Sequence, residues 1–146
     1  MPDEVRILLV EDNPDDAALA LRALARSGLA GRVHHACDGE EALAFLFGQG
    51  AFEARPGWTT VRVVLLDLKL PKVDGLDVLA RMRAHARTRR IPVVVLTSSM
   101  LPADVDACYD AGANSFVVKP VEFSAHAGVL KELASYWLRV NVAARG

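Results

Sequence analysis

Short apolar runs alternate with amphipathic stretches along the whole of this chain, and this alternation constrains the fold more than any other feature. The runs at 61–67 and 91–97 are almost continuously apolar, as expected for strands that helices cover on both faces. Shorter runs near 5–10, 32–37 and 114–119 bring the number of predicted strands to five. Because an amphipathic stretch fills each gap, the pattern predicts repeated strand–helix units around a parallel sheet.

Five helices are predicted, and two of them have clear start signals. Asn13 can cap the first helix, with Pro14 at the first helical position, where its missing N–H is no loss. Asp38 can cap the second in the same way. The predicted helices run from Asn13 to Gly28, over 40–47, over 76–85, from Pro102 to Gly112 and over 122–140.

Helical spacing predicts which faces of the third and last helices pack on the sheet. The third helix is expected to bury Leu76, Leu79, Ala80 and the aliphatic part of Arg83. The last helix is expected to bury a stripe made of Phe123, Ala127, Leu130, Ala134 and Trp137. Beside it lies a second apolar stripe, made of Val129, Leu133, Tyr136 and Val140. This excess predicts either a deeply packed terminal helix or a surface for association.

Length and charge limit the class of protein. The 146 residues fit one domain, which we expect to span 1–146 with a core over about 5–140. The formal charge of −1 gives no electrostatic reason to expect nucleic acid or a membrane surface as partner. No apolar stretch approaches the roughly 20 residues that cross a bilayer, and the start at 1–4 lacks the pattern of a secretion signal. Cys37 and Cys108 have no paired spacing, so the chain is predicted to be cytoplasmic with reduced cysteines.

Polar residues follow four of the five predicted strands. Glu11 and Asp12 come directly after the first, Asp67 closes the third, Thr97 closes the fourth and Lys119 follows the fifth. The carboxyl ends of parallel strands meet at one edge of the sheet, where open α/β sheets bind their ligands. We therefore expect three carboxylates, a hydroxyl and an ammonium to lie close together.

Such a cluster suits phosphoryl transfer to a carboxylate. Carboxylate oxygens are the ligands that Mg²⁺ prefers, and a nearby cation would keep Asp67 ionised and able to attack a phosphoryl donor. Lys119 and Thr97 could then bind the phosphoryl oxygens. Each residue alone has a simpler explanation. Glu11 and Asp12 could favour a helix start, Lys119 could be a solvated lysine, and Thr97 could be an ordinary strand residue.

The segments that carry these residues resemble the receiver domain of two-component response regulators. They are 8–13, 66–75, 96–98 and 118–120, in the order that the family has them, and the resemblance covers nearly the whole chain. It implies a flavodoxin-like α/β fold, in which a five-stranded parallel sheet of order 2-1-3-4-5 and five helices form a three-layer α/β/α sandwich.

The resemblance also implies roles for the acidic residues. Asp67 would accept a phosphoryl group from a histidine kinase. Asp12 and Asp67 would bind Mg²⁺ directly, Glu11 would hold it largely through water, and the backbone carbonyl of Lys69 would complete the protein ligands. No turnover of an outside substrate is expected, so the chain is predicted to be a signalling switch rather than an enzyme.

Three further roles come from the same resemblance. Thr97 and Lys119 would contact the phosphoryl oxygens, and Phe116 lies at the aromatic switch position, where the ring follows the Thr97 hydroxyl inward on phosphorylation. Plain strand core is the alternative explanation for Phe116. The peptide bond before Pro120 is usually cis in the family, at modest cost for such a bond.

The output of such a switch would pass through contacts with other proteins. Many receivers pair through the fourth helix, fifth strand and fifth helix, so a homodimer through the last helix and strand is expected. The segment 48–60, which includes Trp58, is a surface excursion, a packed flap or a partner contact. This segment and the 135–138 tail are similar to stand-alone receivers that partner bacterial phytochrome histidine kinases.

Two other classes of protein share part of this pattern. A phosphohydrolase of the haloacid-dehalogenase class also uses an aspartate nucleophile, but it carries a second aspartate two positions later, where this chain has Lys69. A flavin or nucleotide module on the same sheet would need a phosphate-binding loop after the first strand. Glu11 and Asp12 occupy that place and would repel a phosphate.

Overall fold

The strands form one parallel sheet in a computed structural model that describes residues 4–144. The strands are β1 (Ile7–Val10), β2 (Val33–Ala36), β3 (Val63–Leu66), β4 (Val93–Thr97) and β5 (Ser115–Val118). Their order is β2-β1-β3-β4-β5, which confirms the predicted topology. In-register pairing aligns Val10 of β1 with Leu66 of β3, so the residues that follow these two strands leave the sheet side by side.

Five helices connect and follow the strands, as predicted. They are α1 (Pro14–Leu24), α2 (Gly39–Phe47), α3 (Gly75–Ala84), α4 (Pro102–Asp110) and α5 (Phe123–Ser135). Wider helical turns extend α1 over Ala25–Leu29 and α5 over Tyr136–Val140, and two short 3₁₀ turns lie at Gly50–Phe52 and Gly57–Thr59.

The predicted capping residues occupy the helix starts. The Asn13 side chain accepts hydrogen bonds from the backbone N–H groups of Asp15 and Asp16, and Pro14 begins α1. Asp38 accepts a 2.7 Å hydrogen bond from the Glu41 N–H at the start of α2. These bonds satisfy N–H groups that a helix start otherwise leaves without partners.

The sheet is buried on both faces. Alternate strand residues point to opposite faces, so Leu8 and Val64 pack with α2 and α3, while Leu9 and Leu65 pack with α1 and α5. Both faces are covered, which explains why β3 and all but the last residue of β4 are apolar. This three-layer α/β/α arrangement agrees with the prediction.

The buried face of α3 differs from the predicted one by about one residue. Val78, Leu79 and Met82 are buried, whereas Ala80 is exposed and Leu76 is half-buried. Positions offset by one residue form equally regular stripes at helical spacing, so periodicity alone could not choose between them. The expectation for Ala80 is wrong.

The predicted stripe on α5 is correct in its centre and wrong at its start. Leu130 and Ala134 are buried, and Ala127 and Trp137 are half-buried. Phe123, however, is 66% exposed. Phe123 is the first residue of α5. The helical spacing of the stripe includes this position, but the core does not extend far enough to cover it.

The 48–60 segment folds back onto the protein. The Phe52 ring packs edge-on against His34 and Phe45, and Trp58 packs at the border of the same core. Gly57 lies against the Phe45 ring, where a Cβ would come within 2.3 Å of a ring carbon. The segment is therefore a packed flap over α2 rather than a free excursion.

Within residues 4–144, no helix is long and apolar enough to cross a membrane. Cys37 is exposed, Cys108 is buried, and both are free thiols. The cytoplasmic location that the sequence suggests stays a prediction.

Candidate functional site

The acidic residues predicted to meet do meet at the carboxyl ends of the strands. Glu11 and Asp12 directly follow β1, and Asp67 directly follows β3. One carboxylate oxygen from each of the three lies within 4.8 Å of the others. β1 and β3 are neighbours in the sheet, and their last residues, Val10 and Leu66, are paired in register. The residues that follow the two strands are therefore close together.

The ammonium of Lys119 lies among these carboxylates. Its Nζ is 2.5 Å from Glu11 Oε1, 3.0 Å from Asp16 Oδ2 and 3.1 Å from Asp67 Oδ2. Only about a tenth of the side chain is exposed, so these are largely desolvated ion pairs. Lys119 thereby ties the end of β5 to the ends of β1 and β3 and to the first turn of α1.

The charges at this edge do not balance. Four carboxylates lie at this edge with one ammonium, which contacts three of them, so the fully ionised side chains would carry a net charge of −3 in a partly buried site. Burial, helped by the negative charge of Asp67 and opposed by the Lys119 hydrogen bond, raises the pKa of Glu11 from 4.5 to about 7. A divalent cation would relieve this excess of negative charge.

The ammonium responds to the same surroundings in the opposite sense. Burial alone would lower the pKa of Lys119. The hydrogen bond to Glu11 and the charge of Asp67 outweigh that effect and raise the pKa above its ordinary value. Lys119 therefore stays charged over the whole physiological range.

The donor set fits a hard cation such as Mg²⁺, which prefers carboxylate oxygens. Glu11 is held in place for this, because its Oε2 accepts the Asn13 N–H at 3.1 Å and its carbonyl is 2.8 Å from His35 Nε2. The side chain of Lys69 is exposed, and among residues 4–144 it makes no hydrogen bond or ion pair. The predicted ligand role of the Lys69 carbonyl stays a prediction.

Gly75 allows α3 to begin against the backbone of Asp67. The Gly75 N–H donates to Leu68 O at 3.0 Å, and a Cβ here would lie only 2.4 Å from Asp67 O. The Asp67 N–H in turn donates to Val10 O at 3.1 Å. The acceptor loop is thus held on one side by β1 and on the other by the start of α3.

Thr97 lies at the end of β4, one strand from Asp67, and is almost fully buried. Its hydroxyl oxygen accepts the Ser99 N–H at 3.4 Å, and its carbonyl accepts the Lys119 N–H at 2.8 Å. The Ser99 hydroxyl donates to Asp104 Oδ2 at 2.5 Å. Thr97 is therefore at the predicted edge, and its contact with a phosphoryl group stays a prediction.

Phe116 is half-buried on β5 and packs beside Cys108, Val95 and Leu68. This position lies between the sheet and α4, three residues before Lys119. Both the core explanation and the switch explanation fit this packing. The Lys119–Pro120 peptide bond is trans, so the cis bond expected from the family is wrong for this structure.

The sequence interpretation missed two residues near the site. Asp16 binds Lys119, but in the sequence it resembles any acidic residue in the first turn of a helix, where such residues favour the helix dipole. His126 on α5 is buried, its Nε2 has no hydrogen-bond partner among the described residues, and burial lowers its pKa. No spacing in the sequence distinguishes His126 from the other histidines.

Comparison with known proteins agrees with this geometry. The family model for the response regulator receiver domain matches residues 7–130. The chain is 42% identical over 140 residues to the probable methanogenesis regulatory protein FilR2 of Methanothrix harundinacea (strain 6Ac), an alignment covering 95% of this chain and 87% of FilR2.

Solved structures show the same similarity. The Mn²⁺-bound form of response regulator Rcp1, a protein of Synechocystis, superposes with a TM-score of 0.86 at 36% identity over 97% of this chain and 99% of that one. The bacteriophytochrome response regulator AtBRR has a TM-score of 0.73 at 49% identity over 93% and 96% of the two chains. Together with the strand order and the acidic edge, these matches show that the chain belongs to the response regulator receiver domains, the phosphorylation-dependent switches of two-component signalling.

Proposed function

We propose that the chain, acting as one receiver unit over 1–146, accepts a phosphoryl group on Asp67 from a histidine kinase. The observation that carries this proposal is the unbalanced acidic cluster around Asp67, in which four carboxylates lie near one ammonium that contacts three of them. In the proposed site, Mg²⁺ is held by Glu11, Asp12, Asp67 and the carbonyl of Lys69. The similar structure of Rcp1 is a Mn²⁺-bound form, which supports the proposal that this chain also binds a divalent cation.

In the proposed reaction, a carboxylate oxygen of Asp67 attacks the phosphorus of a phosphohistidine that the kinase presents. A new P–O bond forms as the P–N bond breaks, and the electron pair of that bond stays with the imidazole, which takes up a proton. Negative charge spreads over the phosphoryl oxygens in the transition state, and Lys119 and Thr97 stabilise two of them. Mg²⁺ supplies the remaining charge neutralisation when it is bound.

The phosphoryl group would then change the packing of β5. Lys119 now pairs with Glu11, Asp16 and Asp67, and a phosphoryl group on Asp67 would offer the ammonium a stronger partner. Thr97 would move towards the same group, and the half-buried ring of Phe116 would fill the space it leaves. This is a shift between two packings that a local charge change selects.

The signal would pass on through a homodimer formed by the last strand and helix. β5 is an edge strand of the sheet, so one side of its backbone is open to a partner. Four apolar side chains are exposed in this part of the chain: Val118 of β5, Val121 between β5 and α5, and Tyr136 and Val140 in the turns that extend α5. Exposed apolar side chains on neighbouring elements favour association.

A bacteriophytochrome histidine kinase is the proposed partner, with both proteins in the cytoplasm. The support is the similarity to AtBRR, a bacteriophytochrome response regulator, at 49% identity. The name of FilR2 points to a different pathway, so profiling phosphotransfer against several kinases of the same cell would test this choice directly.

Labelling with a small phosphodonor tests the acceptor itself. We expect Mg²⁺-dependent phosphorylation of the wild-type protein and none in Asp67→Asn. The matched control is Asp74→Asn, which removes an exposed carboxylate from the same loop. The Asp74 side chain makes no helix-capping hydrogen bond, so labelling of this variant should be unchanged. Full labelling of Asp67→Asn would move the acceptor elsewhere.

A further inference from the structure

A positively charged cavity lies at the opposite end of the sheet from the acidic cluster, where β1, β3 and β4 begin. Its volume is about 550 Å³, within the size range of small-molecule sites. Five of its lining residues are arginines, and none of the described lining residues is acidic: Arg6, Arg62, Arg87, Arg89 and Arg90. We call this the arginine cavity.

Four of these five arginines have no carboxylate partner among residues 4–144. Arg6 pairs with Glu4 at 2.7 Å. The other four make no ion pair with any carboxylate of residues 4–144, and all four are exposed. Like charges gathered around one concavity produce a positive potential there, and an anion would reduce their mutual repulsion.

The backbone that carries three of the arginines is held firmly. Thr88 is fully buried and its hydroxyl donates to Met82 O at 2.7 Å. The guanidinium of Arg83 donates to Ile91 O at 2.8 Å and to Arg89 O at 3.1 Å. These bonds fix the backbone of the segment that carries Arg87, Arg89 and Arg90, so on binding only their side chains would need to be ordered.

One arginine is also positioned by an aromatic ring. The Arg87 guanidinium carbon lies 4.8 Å from the centroid of the Trp58 ring, which is a cation–π contact. Trp58 belongs to the packed flap over α2, so the flap helps to shape the cavity. Val61, Ile91 and Pro92 supply an apolar part of the lining.

We propose that the arginine cavity binds a small anion with two or more linked phosphates, such as a nucleoside diphosphate. Guanidinium groups bind phosphate oxygens through paired hydrogen bonds, and several of them suit a ligand with several phosphates. The apolar lining beside them suits a nucleoside attached to those phosphates.

A small ligand fits better than a nucleic acid. The chain as a whole has a net charge of −1, and its opposite edge is strongly acidic. A long polyanion would therefore meet repulsion beyond the cavity, whereas nucleic-acid sites usually extend over a basic face.

Calorimetric titration of the whole chain with pyrophosphate, ADP, phosphate and adenosine tests the proposal. EDTA in the buffer keeps divalent cations away from the acidic edge. We expect saturable binding of pyrophosphate and ADP, at least about tenfold tighter than phosphate, because each added charge-assisted hydrogen bond contributes more than a factor of ten. Adenosine alone should not bind. Absence of saturable binding for both pyrophosphate and ADP would overturn the proposal.

Two double variants distinguish binding at the arginine cavity from a general effect of the protein's net charge. Arg62→Gln with Arg90→Gln should weaken ADP binding at least about tenfold, since two phosphate contacts are removed. Arg26→Gln with Arg139→Gln changes the net charge equally at exposed positions outside the cavity and should leave binding unchanged. Equal weakening by both variants, or tighter binding of an oligothymidine than of ADP, would contradict a small-anion site.

Discussion

The two ends of the sheet have opposite charge and very different burial. At the carboxyl end, the side chains of Glu11, Lys119 and Asp67 are 5%, 10% and 12% exposed, and they contact one another. At the amino end, four arginines are exposed and unpaired within the described chain. Charges that are buried and in contact depend on each other, whereas solvated charges act separately. The same kind of substitution should therefore have a large effect at one end and a small effect at the other.

Removal of one cation from each end measures this difference. In metal-free buffer at pH 8, Lys119→Ala should lower the free energy of unfolding by about 3–5 kcal/mol, because it leaves buried carboxylates without their ammonium. Arg62→Ala at the amino end should change it by less than about 0.5 kcal/mol. Urea unfolding measures both.

Added Mg²⁺ sharpens the same comparison. It should restore part of the stability lost in Lys119→Ala, since a bound cation replaces the missing charge. If Lys119→Ala and Arg62→Ala proved equally mild, the carboxylates around Lys119 would not be a desolvated, coupled cluster.

Two glycines test the close packing of the acceptor loop. Gly75→Ala should destabilise the protein by about 1–3 kcal/mol, as overpacking does, because the added Cβ would lie 2.4 Å from Asp67 O. Gly128→Ala is the matched control in α5, where a Cβ meets nothing within 4 Å, and it should stabilise the helix by up to about 1 kcal/mol. Thermal unfolding should show a lower midpoint temperature for Gly75→Ala and a higher one for Gly128→Ala. An unchanged midpoint for Gly75→Ala would mean that the loop moves freely.

The carboxyl end should also respond to pH. The pKa of Glu11 is raised from 4.5 to about 7, mainly by burial, so Glu11 binds a proton below that pH and is free to hold a cation above it. Mg²⁺ affinity should therefore rise about tenfold from pH 6 to pH 8, following the ionised fraction of one such group. Calorimetry at several pH values measures this change.

Glu11→Gln provides the control for that titration. The variant cannot ionise at this position, so its weaker Mg²⁺ binding should stay nearly constant over the same pH range. A rise as steep as in the wild-type protein would assign the titration to another carboxylate.

The strands and the acidic cluster could be predicted from the sequence for a physical reason. Strands buried on both faces must be apolar, and polar residues directly after them are brought together by the parallel sheet. Glu11, Asp67 and Lys119 lie far apart in the chain, yet each directly follows an apolar run that identifies a strand. The assigned roles of Thr97 and Phe116 come from the family resemblance and stay predictions.

Other features of the structure could not be predicted from the sequence. The buried face of α3 could not be fixed, since stripes one residue apart are equally regular, and Asp16 resembled any acidic residue at a helix start. The arginine cavity brings together loops before three different strands, so its members, such as Arg6 and Arg90, show no common spacing.

The most direct test of the central claim is to locate the phosphoryl group. The protein is treated with a small phosphodonor, the acyl phosphate is reduced with borohydride, and the modified residue is identified by mass spectrometry. We expect modification at Asp67 alone, and only when Mg²⁺ is present. Modification at another residue, or at Asp67 in EDTA to the same extent, would contradict it.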